Sequence, residues 1–269
     1  MNDLRRELAP ISDAAWREID AEARRTLKTM LAARKLVDFT GPLGWDTSAV
    51  GLGRVKPLKL APEEHVLARI RQVQPLVELR APFTLGREEL DAIGRGAPNP
   101  DLDPLIAAAR AAALSEDHAV FHGFADAQIQ GLAEAGAGSR CAIREDYGAY
   151  PAVVAEALNK LRHVGIDGPF AIALGPRCYA GLTTGTLGGY PILEHVRRLL
   201  DGPLVWAPAV NGAVVLSLRG GDAELVVGQD WSIGYLDHDA REVRLYLQET
   251  FTFRVLTPEA AVPLVYPED

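Results

Sequence analysis

From Glu242 to Val255 the chain alternates without a break in period. Val243, Leu245, Leu247, Phe251, Phe253 and Val255 fall on one parity; Arg244, Tyr246, Gln248, Thr250, Thr252 and Arg254 fall on the other. This is the period-2 signature of a half-buried strand. At roughly 3.3 Å per residue the run spans roughly 46 Å, where a usual strand has about five or six residues. A strand of this length demands a fold built on an extended sheet, and something to cover it. Glu249 sits on the apolar parity. An ion pair to a nearby arginine, or a bulge, explains a carboxylate there better than catalysis does.

The rest of the composition limits what such a sheet can serve. The 269 residues allow one large domain or two small ones. A net charge of −8, with no basic tract, disfavours sequence-independent binding of phosphate backbones. The two cysteines, Cys141 and Cys178, make neither a CxxC nor a metal-ligand spacing. The N-terminus lacks an apolar signal region and no stretch approaches eighteen apolar residues. A soluble cytosolic protein without a membrane span is expected.

Along the chain, Ser12 reads as a helix N-cap, with Ile11 and Trp16 placed as a hydrophobic staple. The helix after it carries Trp16, Ile19, Ala23, Leu27, Met30 and Leu31 at helical spacing, and Arg34 and Lys35 near its end. Residues 36–46 read as a short strand and a Gly/Pro turn. Residues 47–60 and 73–85 read as two extended legs about a polar middle (Pro62, Glu63, Glu64, His65), forming a projecting hairpin whose edges need a partner. Glu88–Gly96 is a short helix. Asp103 and Pro104 start a long Ala-rich helix over 104–124. A compositional shift near Gly131 marks a subdomain boundary. Beyond it, helices at 151–163 and 190–200 alternate with strands at 168–174, 204–206 and 213–218, and 182–190 reads as a flexible Gly/Thr loop.

Motifs for chemistry are missing. No GxSxG, GxxxxGK[ST], HExxH or complete GxGxxG occurs. His118 and His122 stand at i,i+4 beside Glu116 and Asp117, a spacing able to hold a metal, but a third well-placed ligand is lacking. Asp237-His238-Asp239 reads as a turn, and Cys178 has no activating partner in sequence. Long extended arms and much apolar surface, without a catalytic set, point to assembly.

Several segments carry a family resemblance: LAPISDAAWREIDAEA, ARKLVDFTGPLGW, PLVELRAPFTLGREELD, RGAPNPDL, EDHAVFHG, GPFAIALGP, RGGDAELVVGQDWSIGY and ETFTFRV. In this order, over about residues 4–262, the chain resembles the encapsulins, the linocin-like shell proteins of nanocompartments. The resemblance implies an α+β, phage major-capsid-like fold. Its parts would be a peripheral domain (1–45, 73–130 and, as a return with the C-terminal strand, 222–269), an extended arm (46–72) and an axial domain (131–221). It implies icosahedral closure from sixty copies or a larger permitted multiple. It also implies a cargo enzyme, peroxidase or ferritin-like, held on the inner wall by a C-terminal targeting peptide. The matching wall positions are Leu27, Leu31, Arg34, Asp38, Trp231, Ile233 and Tyr235: apolar side chains for the peptide's aliphatic residues, with Arg34 and Asp38 orienting it. Thr183, Thr184, Gly185, Thr186, Leu187, Gly188 and Gly189 would line the five-fold pore. Some members stack a flavin on a Trp in the helix after PFTL; that position is Arg87 here, so no cofactor is expected. A capsid that packages nucleic acid is disfavoured by the acidic charge, and an enzyme by the missing catalytic set. No metal, nucleic-acid or membrane partner is expected.

Overall fold

The computed structural model describes residues 3–59, 66–144 and 146–267. The alternating run forms one strand, Glu242–Val255, at the centre of a five-stranded sheet. One edge pairs antiparallel with Val77–Gly86. The other carries two strands in tandem: Ala223–Val227 opposite residues 251–255, then Ser232–His238 opposite residues 243–248. Asp38–Thr40 adds a parallel strand outside Ala223–Val227. The strand is not half-buried. Both parities are covered from Leu245 to Phe253, polar Gln248, Thr250 and Thr252 included. A central strand has neighbours on both edges and layers on both faces, so its polar parity can be met only indoors, and Gln248 Oε1 and Thr252 Oγ1 have no partner there. Thr250 Oγ1 accepts from the Gln229 N–H at 2.8 Å, and Gln248 donates to Gln229 Oε1 at 3.0 Å.

Two helices pack on this sheet. The first, Asp13–Met30, starts where Ser12 Oγ accepts the Ala15 N–H at 3.2 Å. Its Ile19, Ala23 and Leu27 join Phe83, Leu85, Leu245 and Leu247 in one apolar cluster. The second, Asp103–His122, has Leu102 at its N-cap, so Asp103 lies in the first turn rather than capping it. Asp101 Oδ1 instead accepts the Asp103 N–H at 3.0 Å. Its buried stripe runs Leu105, Ala108, Ala109, Ala112, Ala113, Glu116, Asp117 and Val120. The small residues let the helix lie close, and the two carboxylates fall on the same inward face.

A second sheet has the order Cys141–Ala142, Ala261–Val265, Ala213–Ser217, Phe170–Leu174, Leu204–Trp206. The C-terminal strand belongs here, with residues 141–217, and not to the first sheet as the 222–269 division supposed. Its Ala261, Val262, Pro263 and Leu264 pair with Leu216 to Ala213, because a wholly apolar strand needs a site buried on both faces. On one face lie the helices Tyr150–His163, Pro176–Thr184 and Ile192–Arg197. On the other, Ala171, Ala173, Val214 and Leu216 meet Leu225, Val227, Phe251 and Phe253 of the first sheet, so the two sheets share a core.

The hairpin has legs Ala49–Pro57 and Arg69–Pro75. Its second leg begins earlier than residue 73, and the 73–85 run divides at Leu76: from Val77 onward the chain enters the first sheet. The expected polar middle at 62–65 lies outside the described residues. On the legs Leu52, Val55, Ile70 and Val73 are all exposed, as are Leu58 and Leu67 just beyond them.

The 182–190 segment is not a loop throughout. Leu182, Thr183 and Thr184 complete the helix Pro176–Thr184, and Thr184 Oγ1 donates to Ala180 O at 2.9 Å. Thr186–Leu187 then pairs with Tyr190–Pro191 across Gly188 and Gly189. Both glycines have positive φ, 59° and 84°, as a tight two-residue hairpin turn requires.

Candidate functional site

The tandem strands part at Gly228–Trp231, opposite Glu249 and Thr250 of the long strand. Glu249 also lies where the apolar parity passes from one core cluster to the other. Into this break comes the turn at the end of the first helix. Arg34 donates from Nε to Glu116 Oε1 at 2.8 Å and from a terminal nitrogen to Glu116 Oε2 at 2.7 Å. It also bonds Glu249, and Asp230 at 2.8 Å. The Glu116 and Glu249 side chains are fully buried. Trp231 Nε1 donates to Glu116 Oε2 at 2.8 Å. Asp117 accepts the Ala32 and Ala33 N–H groups at 2.8 and 3.0 Å. Two adjacent residues of the long helix therefore tie down the turn at 31–35 and the indole of Trp231.

The electrostatics follow from burial. Desolvation opposes the charge on Arg34, yet Glu116, Glu249 and Asp230 together hold its pKa above the ordinary value. Burial, aided by the charge of Glu116, raises Glu249 well above the usual carboxylate range against the pull of Arg34. Asp117 is pushed up to about 7 by burial; the two N–H donors and Lys35 oppose the rise and Glu116 adds to it. Glu249 Oε2 has no hydrogen-bond partner.

Above this junction is a groove of about 700 Å³ between the first helix and strand Ser232–His238. Leu27, Leu31, Trp231 and Ile233 line it, with Arg34 and Asp230 at its inner end. Leu27, Leu31 and Ile233 are buried floor residues and Trp231 is half-buried. Five of the seven residues singled out in the sequence thus meet round one groove. Two do not. Asp38 lines a separate cavity of about 220 Å³ and accepts the Gly221 N–H at 2.6 Å, so it shapes the Gly220-Gly221 turn. Tyr235 lies one strand step past the groove, its hydroxyl 2.5 Å from His238 Nδ1. Arg34 is committed as well. Four of its five N–H donors go to the three carboxylates, which leaves at most one for a guest.

Other lining residues were missed. Leu4 and Arg6, read as a polar lead-in, close one end of the groove; Arg6 pairs with Asp20 at 2.8 Å and lies 3.9 Å over the Trp16 ring. Ala23, Arg24 and Lys28 were available from helical spacing with Leu27 and Leu31. Glu116 and Asp117 are engaged in the junction and not with the histidines; His122 Nε2 lies 3.1 Å from Ala209 O. Among the described residues no group of three or more His, Cys, Asp or Glu could hold a metal ion. No helix of the described residues is long and apolar enough to cross a membrane.

Residues 1–252 match the model of the Linocin_M18 family, described as an encapsulating protein for peroxidase. The chain belongs to this family. It is 58% identical over 270 residues to a type 1 encapsulin shell protein of Rhodospirillum rubrum, covering 98% of this chain and 96% of that one. It is 46% identical over 264 residues to the type 1 encapsulin shell protein of Mycobacterium tuberculosis, covering 98% and 99%. Among solved structures it resembles a virus-like particle from Pyrococcus furiosus (TM-score 0.64, 17% identity, 93% and 98% coverage). It also resembles a structure of Mycobacterium phage Bobi (TM-score 0.60, 12% identity, 89% and 91% coverage). The fold is the phage major-capsid-like one, and the encapsulin is a shell protein, not an enzyme.

Proposed function

We propose that this encapsulin closes into an icosahedral, cytoplasmic shell of sixty copies or a larger multiple, and loads a peroxidase or ferritin-like cargo enzyme through that enzyme's C-terminal peptide. The observation that carries the loading site is the groove: an apolar floor of Leu27, Leu31 and Ile233, walled by Trp231, on a charged network that fixes its shape. Such a groove suits an extended or helical apolar segment. Each contact is weak, but many identical sites facing an oligomeric cargo supply avidity. The exposed hairpin covers its apolar side chains on a neighbouring subunit, and the Thr183–Gly189 segment lines the five-fold pore. With Arg87 where a stacking Trp would be needed, the shell carries no flavin.

Electron microscopy of the purified chain tests closure; a chain that stays monomeric or dimeric across pH and salt would end the shell reading. Cargo pull-down by assembled Leu31→Asp shells tests the groove, with Leu27→Ala as a milder variant that keeps the helix packed. Loss of cargo from intact shells is expected. Unchanged loading in both would move the site elsewhere.

A further inference from the structure

The long helix ends in two histidines that the buried charge network does not use. His118 and His122 stand one turn apart in the last stretch of Asp103–His122, their ring centres 5.0 Å apart and their planes tilted by 44°. Both line a cavity of about 410 Å³ against the second sheet, with Asn211 and the apolar Ala133, Val210 and Pro263 among its other walls. His122 Nε2 lies 3.1 Å from Ala209 O. A carbonyl only accepts, so the proton sits on Nε2 and the lone pair on Nδ1. Among the described residues nothing bonds to that Nδ1 or to either ring nitrogen of His118. A charged histidine in a last turn would serve the helix dipole. Burial, and next the charge of His118, instead lower the pKa of His122 against the pull of Ala209. The ring is therefore neutral at neutral pH, and neutral imidazole is the form that binds metals.

We infer that His118 and His122 form a binding site for a divalent transition-metal ion of the zinc or nickel type. Imidazole nitrogens meet zinc at about 2.0–2.1 Å, and a tetrahedral ion holding two rings sets their centres about 5 Å apart. The two rings already stand at that separation. A ligating histidine is aimed by the hydrogen bond that its second nitrogen gives to a carbonyl or carboxylate, and Ala209 O fills that place for His122. The ion lies beside the last helical turn, where free carbonyls favour positive charge. Two side chains do not close a four-ligand shell, so water takes the remaining positions, with Asn211 on the same cavity wall. Such a site is open and exchanges its ion, unlike a structural centre with four protein ligands. It takes ions that suit imidazole and leaves magnesium, which wants oxygen. Metal on Nδ1 strengthens the Nε2–H bond to Ala209, so the occupied site fastens the helix end to the turn between Leu204–Trp206 and Ala213–Ser217.

The test titrates assembled shells, stripped with a chelator, with zinc, nickel and magnesium ions by calorimetry at about pH 7.5, where imidazole is neutral. Zinc and nickel should bind at about one ion per subunit, and magnesium should not bind. His118→Ala and His122→Ala should each weaken zinc binding at least about tenfold, since even the hydrogen-bond partner of a ligand is worth about 10–100-fold. His163→Ala, with its ring on another helix, should bind zinc as the original shell does. Zinc should raise the unfolding midpoint of the original shell and leave that of the two variants unchanged. His118 is exposed, so its variant keeps the core and decides the matter even where His122→Ala fails to assemble. No zinc binding by the original shell, or unchanged zinc binding in His118→Ala, would overturn the site. Magnesium binding as tight as zinc would overturn it too, by placing the ion on carboxylates.

Discussion

The two sheets solve burial in opposite ways. In the second, Ala213, Val214, Val215 and Leu216 are buried on both faces among apolar neighbours, and Ser217 at the strand's end meets its one polar need at Asp167 O, 2.6 Å away. In the first, the central strand buries Gln248, Glu249, Thr250 and Thr252 in succession. Apolar packing is stable without close geometry, whereas buried charge is stable only when each partner is in place. The first sheet accepts that demand where the tandem strands part and the groove opens. The difference teaches that the network is there to hold a shape, and that the second sheet is there to hold the fold.

Removing the cation should have the largest effect. Arg34→Ala leaves Glu116 and Glu249 buried without their partner, and loss of one member of such a pair costs about 3–5 kcal/mol. Denaturant unfolding of shells at fixed subunit concentration measures it. The loss should come with cargo release from any shells that assemble. A cost near zero would mean that the network is solvent-relaxed and that the contrast between sheets is false. Leu174→Ala, in the wholly buried strand Phe170–Leu174, should cost about 3 kcal/mol by removing packed methyl groups. It should leave loading unchanged per assembled shell. Lost loading there would mean that the groove is coupled to the whole core.

A smaller, graded effect separates the sheets by pH. Asp117 has its folded pKa at about 7, above the ordinary value of 3.8. A raised folded pKa gives stability that is full below about pH 4 and is lost as the pH climbs to about 7. Glu249, shifted the same way, adds to the slope. The midpoint of unfolding of the wild-type shell should therefore fall relative to Asp117→Asn between pH 4 and 7, with most of the difference near the upper end. Leu174→Ala should keep the wild-type slope. Parallel pH profiles for wild type and Asp117→Asn would place Asp117 as an ordinary ionised cap of the Ala32 and Ala33 N–H groups.

Much of this was legible in the residues alone, and unevenly. The long strand, the first helix and its Ser12 cap came from period and capping chemistry, which are local. So did the ion-pair reading of Glu249, since a carboxylate on an apolar parity must be paired. Helical spacing placed Leu27 and Leu31 on the apolar face of the first helix, and the family resemblance marked them as wall positions. The family resemblance led to Trp231 and Ile233. What could not be read was which partners each residue meets. The 73–85 run has one extended character throughout, yet Val73 is exposed while Phe83 and Leu85 are buried, because only the second part lies beside the long strand. Asp38 and Tyr235 sit next to groove residues in sequence and miss the groove by one turn and one strand step. Leu4 gave no signal at all: it lines the groove from a lead-in without period, tied to the sheet by its backbone carbonyl, which takes the Tyr235 N–H at 2.8 Å.

The smallest expected effect tests how far the groove's dependence extends along the first helix. Ser12 caps the end remote from Leu27 and Leu31, with its hydroxyl on the Ala15 N–H. Ser12→Ala removes one cap bond and should cost about 1 kcal/mol in unfolding. The other end of the helix is held by different means: Asp117 on Ala32 and Ala33, and Arg34 on Glu116. If those anchors set the groove, fraying at Ser12 stops before Ala23, and Ser12→Ala shells load cargo as the wild type does. A loss of loading as large as that of Leu27→Ala would show the helix moving as one rigid rod, with the groove set by the whole rod and not by the buried charges beneath it.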